Sequence, residues 1–249
     1  VCFTSFLLDK SADTYGTIRT EQERSFSMEI MIVETSAVSS ELLKQLIKEI
    51  IPGASVHEII DSSLIDEVVD NGGVTPHVRH RMNTYFRFAE ELGADIILNQ
   101  CSSVGDVAAR AQNTIQIPIV SIDKGMAVKA VQTGSRIGLV ATVATTVEPS
   151  SNNILRTAKE LGREITLTPY LADGAMDLLI KTGDKETHNK MVIGAVELAA
   201  KENDVVVLAQ GSMVVLEPLL AHFETPVLLS PRIGIEYLKS VIDGLEKKI

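Results

Sequence analysis

Three stretches of this chain recur, in order, further along it. Asp95-Ile96-Ile97-Leu98-Asn99-Gln100-Cys101 matches Asp204-Val205-Val206-Val207-Leu208-Ala209-Gln210, Ile30 to Thr35 matches Ile137 to Thr142, and Pro118-Ile119-Val120 matches Pro226-Val227-Leu228. The offsets stay within about 107–109 residues, which is how a duplicated unit reads. Any two strand–helix–strand segments share some likeness, but three ordered matches are hard to obtain that way. The matched runs are apolar with few breaks, as strands of a parallel sheet are when both faces are buried. Between them lie helical faces such as Leu42, Leu43, Leu46, Ile47 and Ile50. Strand–helix alternation of this kind builds parallel sheets with right-handed crossovers. The expected fold is α/β: two pseudo-symmetric lobes, each a mostly parallel sheet flanked by helices, with a ligand cleft between them.

Strands are expected at 28–34, 55–60, 95–100, 117–122, 136–141, 164–169, 204–209 and 226–229. Helices are expected at 39–51, 74–92, 104–112, 126–132, 145–161, 186–201, 212–222 and 233–245. The first lobe is drawn as 28–124, joined by the C-terminal helix 232–249, and the second as 125–231. Residues 1–27 stand apart. Phe3 to Leu8 is apolar but short and has no basic region before it, so it does not read as a signal peptide. Regular pattern begins at Met28, and Glu23-Arg24-Ser25 can be encoded by a purine-rich ribosome-binding sequence. The expectation is that Met28 is the natural start, with 1–27 a misassigned upstream extension or an artificial addition; a disordered or docking arm is the alternative. Peptides from 1–27 in protein from the native source would refute it.

Composition narrows the partners. The net charge is −10 and the pI about 5.0, which opposes phosphate backbones. Trp is absent and aromatics make up 4%, too few for a base-stacking platform. Two cysteines form no disulfide framework, and no apolar run reaches the roughly 20 residues of a membrane span. A soluble, cytoplasmic homo-oligomer with no nucleic-acid or membrane partner is expected.

Ligands of α/β sheets bind beyond the carboxyl ends of the strands. Duplication therefore sets Cys101 opposite Gln210, and pairs Thr35 with Thr142. Cys101 ends a buried strand, and Ser102 and Ser103 follow in expected N-cap positions. A thiol there feels a helix dipole and free N–H groups that favour the thiolate, and the same groups suit a carboxylate or oxyanion. A buried structural cysteine is the competing reading. Gln210 carries no titratable proton; with Gly211 and Ser212 it forms the symmetric turn, either touching ligand or orienting a neighbour. Thr142 and Thr145 offer hydroxyls to a carboxylate, although helix capping is the commoner role for Thr145. Glu34, Thr35 and Ser36 close the first strand, Glu34 being able to orient the thiol or a substrate ammonium. His57, His77, His80, His188 and His222 lack metal-ligand spacing, and no nucleotide-binding loop is present. Lys124 and Arg232 are the cations of the expected strand-end loops.

Asn99-Gln100-Cys101-Ser102-Ser103, Gly138-Leu139-Val140-Ala141-Thr142 with Thr145, and Leu208-Ala209-Gln210-Gly211-Ser212-Met213 resemble the three signature segments of the aspartate/glutamate/hydantoin racemase superfamily, from Met28 to the C-terminus. The resemblance implies a small carboxylate substrate, no PLP or metal, and two cysteines working on opposite faces of the carbon α to a carbonyl. Carried over, Cys101 is one acid–base group, with Ser102, Ser103, Thr142 and Ser212 on the carboxylate or enolate. Glu34, Thr35 and Ser36 depart from the usual pattern at their position. The larger departure is Gln210, which stands where the second cysteine belongs. The resemblance thus implies a cofactor-independent racemase or isomerase. Two alternatives stay open: a one-base lyase such as a decarboxylase, and a small-acid binding protein without turnover.

Overall fold

The structure is a computed structural model that describes residues 28–247; the expectations for 1–27 lie outside them. Two four-stranded sheets are present, every pairing parallel. The first has the order β2-β1-β3-β4, from Glu29–Glu34 (β1), Ser55–Ile60 (β2), Ile96–Asn99 (β3) and Ile119–Ser121 (β4). The second repeats that order as β6-β5-β7-β8, from Arg136–Ala141 (β5), Thr166–Leu171 (β6), Val205–Leu208 (β7) and Val227–Leu228 (β8). The two lobes that the repeat implies are therefore present.

The helices are Ser40–Ile50 (α1), Ser63–Asp70 (α2), Pro76–Glu91 (α3), Gly105–Ala111 (α4), Lys124–Thr133 (α5), Ala144–Glu160 (α6), Ala175–Thr182 (α7), Lys185–Glu202 (α8), Glu217–Leu220 (α9) and Ser230–Glu246 (α10). Two of them, α2 and α7, have no counterpart in the sequence expectation. Each spans eight residues, two turns, too few for a 3.6-residue period to declare itself. The helix expected over 212–222 is instead a 3₁₀ turn, Gly211–Leu216, followed by α9. Pro218 explains the break, because its missing N–H is tolerated only in the first turn of a helix.

Strand alternation assigns the faces. Ile30 and Ile32 of β1 pack with α1 (Leu43, Leu46, Ile47) and α10 (Ile235, Leu238, Ile242). Met31 and Val33 pack on the other side with α2, α3 and α4, through Leu64, Phe86 and Ala108 among others. In the second sheet Ile137 and Leu139 meet α5 and α6, while Val140, Val206 and Leu208 meet α8 and the 211–216 turn. The helices after β4 and β8 are thus exchanged: α5 follows the first sheet but covers the second, and α10 follows the second but covers the first. Where these two helices cross there is no room for side chains. A Cβ on Gly125 would meet the Ile233 carbonyl oxygen and the Tyr237 Cβ, and one on Gly234 would meet the Ile122 carbonyl oxygen.

The repeated aspartates serve the sheet ends away from the cleft. Asp95 accepts from the Glu29 N–H at 2.8 Å. Asp204 accepts from the N–H groups of Ser135 and Arg136 and from the Arg136 guanidinium. The Arg136 bonds hold the Asp204 carboxyl down at about 2.

Candidate active site

In each sheet the first and third strands send their chains to opposite faces. The chain leaving β1 forms α1 on one side, and the chain leaving β3 forms α4 on the other. A crevice opens at such a switch point. Continuing the β1–β3 register, which pairs Val33 with Asn99, brings Thr35 beside Cys101. Continuing the β5–β7 register, which pairs Val140 with Leu208, brings Thr142 beside Gln210. The two crevices face each other, because the Ser102–Val104 turn packs on α6 and the Ala37–Ser39 turn packs on the 211–216 turn.

Cys101 is partly exposed and is a free thiol. Its backbone is extended (φ −99°, ψ 120°) and leads into the 3₁₀ turn Ser102–Val104. Cys101 itself, rather than either serine, therefore holds the N-cap position, with no side-chain capping bond. Burial pushes the Cys101 thiol up, against the hydrogen bonds of the Thr35 hydroxyl, the N–H groups of Ser103 and Val104, and the Ser103 hydroxyl. The donors anticipated for a thiolate are in place, yet desolvation outweighs them. The resting group is the thiol, not the thiolate expected from the helix end.

Gln210 is engaged differently. Its Oε1 accepts from the Thr142 N–H at 2.9 Å, and its Nε2 donates to the Thr142 hydroxyl at 2.9 Å. Both ends of the amide are spent on one residue, which fixes Thr142 and leaves Gln210 as an orienting group. Gly211 opens the following turn, and Ser212 is exposed. Thr145 lies in the first turn of α6 without capping it; the N-cap is Val143. The Thr145 Oγ1 is buried and has no hydrogen-bond partner among the described residues. Ser36 caps its own turn, accepting from the Val38 N–H at 3.3 Å.

Glu34 is not brought to Cys101. Alternation turns it to the α1 side, where the Ser40 hydroxyl donates to it at 2.8 Å. It is 0% exposed, and its carboxyl is pushed up to about 7, chiefly by burial and then by the neighbouring Glu58, against the Ser40 bond and Lys44. An ordinary unfolded-state value near 4.5 lies below that, so the folded chain holds the extra proton between about pH 4.5 and 7. Its stabilising share is complete at low pH and is lost as pH rises through 7. Glu34→Gln is expected to melt above wild type at about pH 8, with the difference shrinking toward about pH 5. Parallel melting curves across that range would refute this.

Asp123, absent from the sequence candidates, lies at the end of the first sheet and is 3% exposed. Burial pushes its carboxyl up, against the Ser102 hydroxyl, the Arg156 charge and Asn153. An acid just past a strand and just before a helix is an N-cap signal and would have flagged it. Lys124 and Arg232 are committed elsewhere, Lys124 to Thr157 and Glu160 and Arg232 to both oxygens of Glu49. A cavity of about 240 Å³ opens beside the site, lined by Ser103, Thr145, Asp106 and Glu148 and by two helix-borne arginines, Arg79 and Arg110. Among the described residues no three His, Cys, Asp or Glu side chains group as metal ligands do, and no helix is long and apolar enough to cross a membrane.

This geometry has known counterparts. The chain resembles a glutamate racemase from Bacillus anthracis at 14% identity, covering 88% of this chain and 82% of that one with a TM-score of 0.68. It resembles an allantoin racemase from Klebsiella pneumoniae at 18% identity, covering 87% and 88% with a TM-score of 0.64. It also resembles an aspartate racemase from Picrophilus torridus at 14% identity, covering 86% and 94% with a TM-score of 0.64. At these identities the likeness is one of fold. No curated protein sequence matches the chain. The sequence model of Asp/Glu/Hydantoin racemase matches residues 29–238. With that match spanning both sheets and both crevices, the chain belongs to the Asp/Glu/hydantoin racemase family and is an enzyme of the racemase or isomerase type.

Proposed function

We propose that this enzyme moves a proton at the carbon α to the carboxylate of a small acid, from one face only, with Cys101 as the proton-carrying group. The observation that carries the reading is the asymmetry of the two crevices. One holds a free thiol, Cys101, set beside Thr35 by the strand register. The other holds an amide whose two ends are both bound to Thr142 and which has no proton to exchange at neutral pH. Hydroxyls and N–H groups of Thr35, Ser36, Ser102, Ser103, Thr142, Thr145, Gly211 and Ser212 would take the carboxylate and the enolate oxygen, as preorganised donors do for developing negative charge. Cys101 as thiolate removes the α-proton, the C–H pair moves into the enolate, and the new thiol returns a proton to the same face, a step that by itself exchanges the α-hydrogen without net conversion.

The resting thiol favours a second, related reading. If the α-carbon loses a carboxyl group, the bond pair stays behind as an enolate, the Cys101 proton adds to carbon, and solvent reprotonates the sulfur. Incubation with a panel of small acids in D₂O separates the cases. Exchange of the α-proton with retention, or one deuterium on a decarboxylated product, supports one-sided chemistry. Exchange with inversion refutes it, and tight binding with neither makes this a binding protein. The pH profile gives an independent check. A thiol acting as acid loses rate as pH rises through its elevated value, whereas a thiolate acting as base gains rate over the same interval.

A further inference from the structure

We infer that Glu34 and Glu58 share one proton, and that this proton latches the start of α1, the segment that ties the Cys101 crevice to the opposite sheet. The two side chains lie on one face of the first sheet. Ile30, Ile32 and Val56 pack toward α1 and α10, and strand alternation carries the same face on to Glu34 and Glu58. Glu58 stands opposite Ile32 in the β1–β2 register, so Glu34 is its diagonal neighbour. From α1, the Ser40 hydroxyl donates to Glu34 Oε2 at 2.8 Å, and Lys44, one turn on, donates to Glu58 Oε2 at 3.1 Å. Each carboxyl is thus held by one oxygen. The Oε1 of each is buried and has no hydrogen-bond partner among the described residues. One proton answers both orphaned acceptors: carried on Glu34 Oε1, it donates to Glu58 Oε1. The Lys44 ammonium marks Glu58 as the ionised partner, and full burial with a neutral hydroxyl as its neighbour marks Glu34 as the acid. Little else faces the pair. Lys44 is shared with Glu41 at 2.5 Å, α10 presents Ile235, Leu238 and Ile242 while its Arg232 is taken by Glu49, β3 leads into the neutral Gln100, and the 211–216 turn carries no charged residue.

The proton matters beyond its own pair because of what these residues hold. Glu34 directly precedes Thr35, and Gln100 directly precedes Cys101. Gln100 Nε2 donates to the Ser39 hydroxyl at 2.6 Å, while Ser40 donates to Glu34. Both residues that lead into the crevice are therefore tied to the start of α1, where Ser39 and Ser40 are buried. The Ala37–Ser39 turn packs on the 211–216 turn that follows Gln210, so the 37–40 segment joins one crevice to the other. With the proton present the two carboxyls attract. Without it two like charges meet at a buried site, and the relief is for the start of α1 to lift and admit water. Glu34 keeps its proton up to about 7 when closed, against an ordinary value of 4.5 when opened to water. Opening therefore releases a proton, grows as pH rises between those values and levels off above them.

Amide hydrogen exchange read by mass spectrometry on the full chain, corrected for the intrinsic pH dependence of exchange, tests the latch. Between about pH 5 and about pH 8, exchange of the 37–44 segment is expected to rise at least about tenfold in wild type, while β5 and β7 of the second sheet change much less. Glu34→Gln and, separately, Glu58→Gln are each expected to flatten that rise, because the new amide donates to the remaining carboxylate without a proton to lose. Carboxyl-carbon nuclear magnetic resonance on glutamate-labelled protein gives the second reading. One titration step near 7 is expected in the signals of both Glu34 and Glu58, assigned by the same two variants, and the Glu34 step is expected to move to lower pH in Glu58→Gln. Flat exchange in wild type, or a rise shared equally by both sheets, overturns the latch. Independent titration of the two carboxyls, or a Glu34 step unmoved in Glu58→Gln, overturns the shared proton. Neither measurement uses turnover, so the outcome stands apart from the role proposed for Cys101.

Discussion

Cys101→Ala is expected to lower turnover by about 10²–10⁴-fold, the usual worth of a positioned acid or base, while leaving the fold intact. The structural side of this expectation comes from the site. Cys101 is partly exposed and forms no disulfide, and the backbone just before it is held by the β1–β3 pairing through Asn99, independently of its side chain. Removing one sulfur there costs about 1 kcal/mol, small beside the stability of a domain this size. Far-ultraviolet circular dichroism and thermal melting should match wild type within a few degrees. Near-normal turnover in the variant would remove Cys101 from the chemistry. Cys101→Ser sharpens the comparison, because a hydroxyl keeps the hydrogen bonds but is a much poorer proton carrier. If the role is proton transfer, serine should be nearly as inactive as alanine.

Gln210→Leu is expected to cost about 1–3 kcal/mol of stability, from two lost hydrogen bonds at a partly buried site, and to lower the melting temperature by roughly 2–12 °C. It should also reduce turnover by about 10–100-fold, because Thr142 loses both contacts that set its N–H and hydroxyl and a small misplacement of a binding group is costly. Gln210→Glu retains an acceptor for the Thr142 N–H and should recover part of both losses. A leucine variant with wild-type melting and turnover would show that the clamp does nothing. The same geometry bears on Gln210→Cys, which supplies a thiol at the second position but releases Thr142 at the same stroke. Inversion of configuration is therefore not expected from that single change.

The architecture was legible because burial leaves a strong mark on composition. Val205, Val206, Val207 and Leu208 are all fully buried, and only a strand covered on both faces reads as such an unbroken apolar run. Strand ends followed, and with them the correspondence of Cys101 with Gln210 and of Thr35 with Thr142; that Thr35 lies beside Cys101 and Thr142 beside Gln210 came only with the strand register. What stayed hidden depends on tertiary context. Glu34 and Thr35 are neighbours in the chain, but alternation sends one to α1 and the other to the thiol, and a bare sequence does not say which face is the cleft. The charge state of Cys101 turns on a contest between desolvation and hydrogen bonds that helix-end reasoning alone decides wrongly. Arg79 and Arg110 sit on helices, away from the strand-end loops where cations were sought, and reach the cavity only because α3, α4 and α6 converge there.

The exchanged helices bear on the order in which the chain matures as it is made. During synthesis the N-terminal portion of a protein emerges first and generally folds first. Here the first sheet cannot finish in that order, because Ile235, Leu238 and Ile242 of α10 complete one of its two faces. Until those late residues leave the ribosome, Ile30, Ile32, Ile96 and Leu98 have α1 but not α10 to cover them. The second sheet is under no such delay, since α5, which covers it, is translated before its first strand. The lobe that carries Cys101 is begun first and completed last, so a chain cut short before α10 should yield a formed second lobe beside an unfinished site.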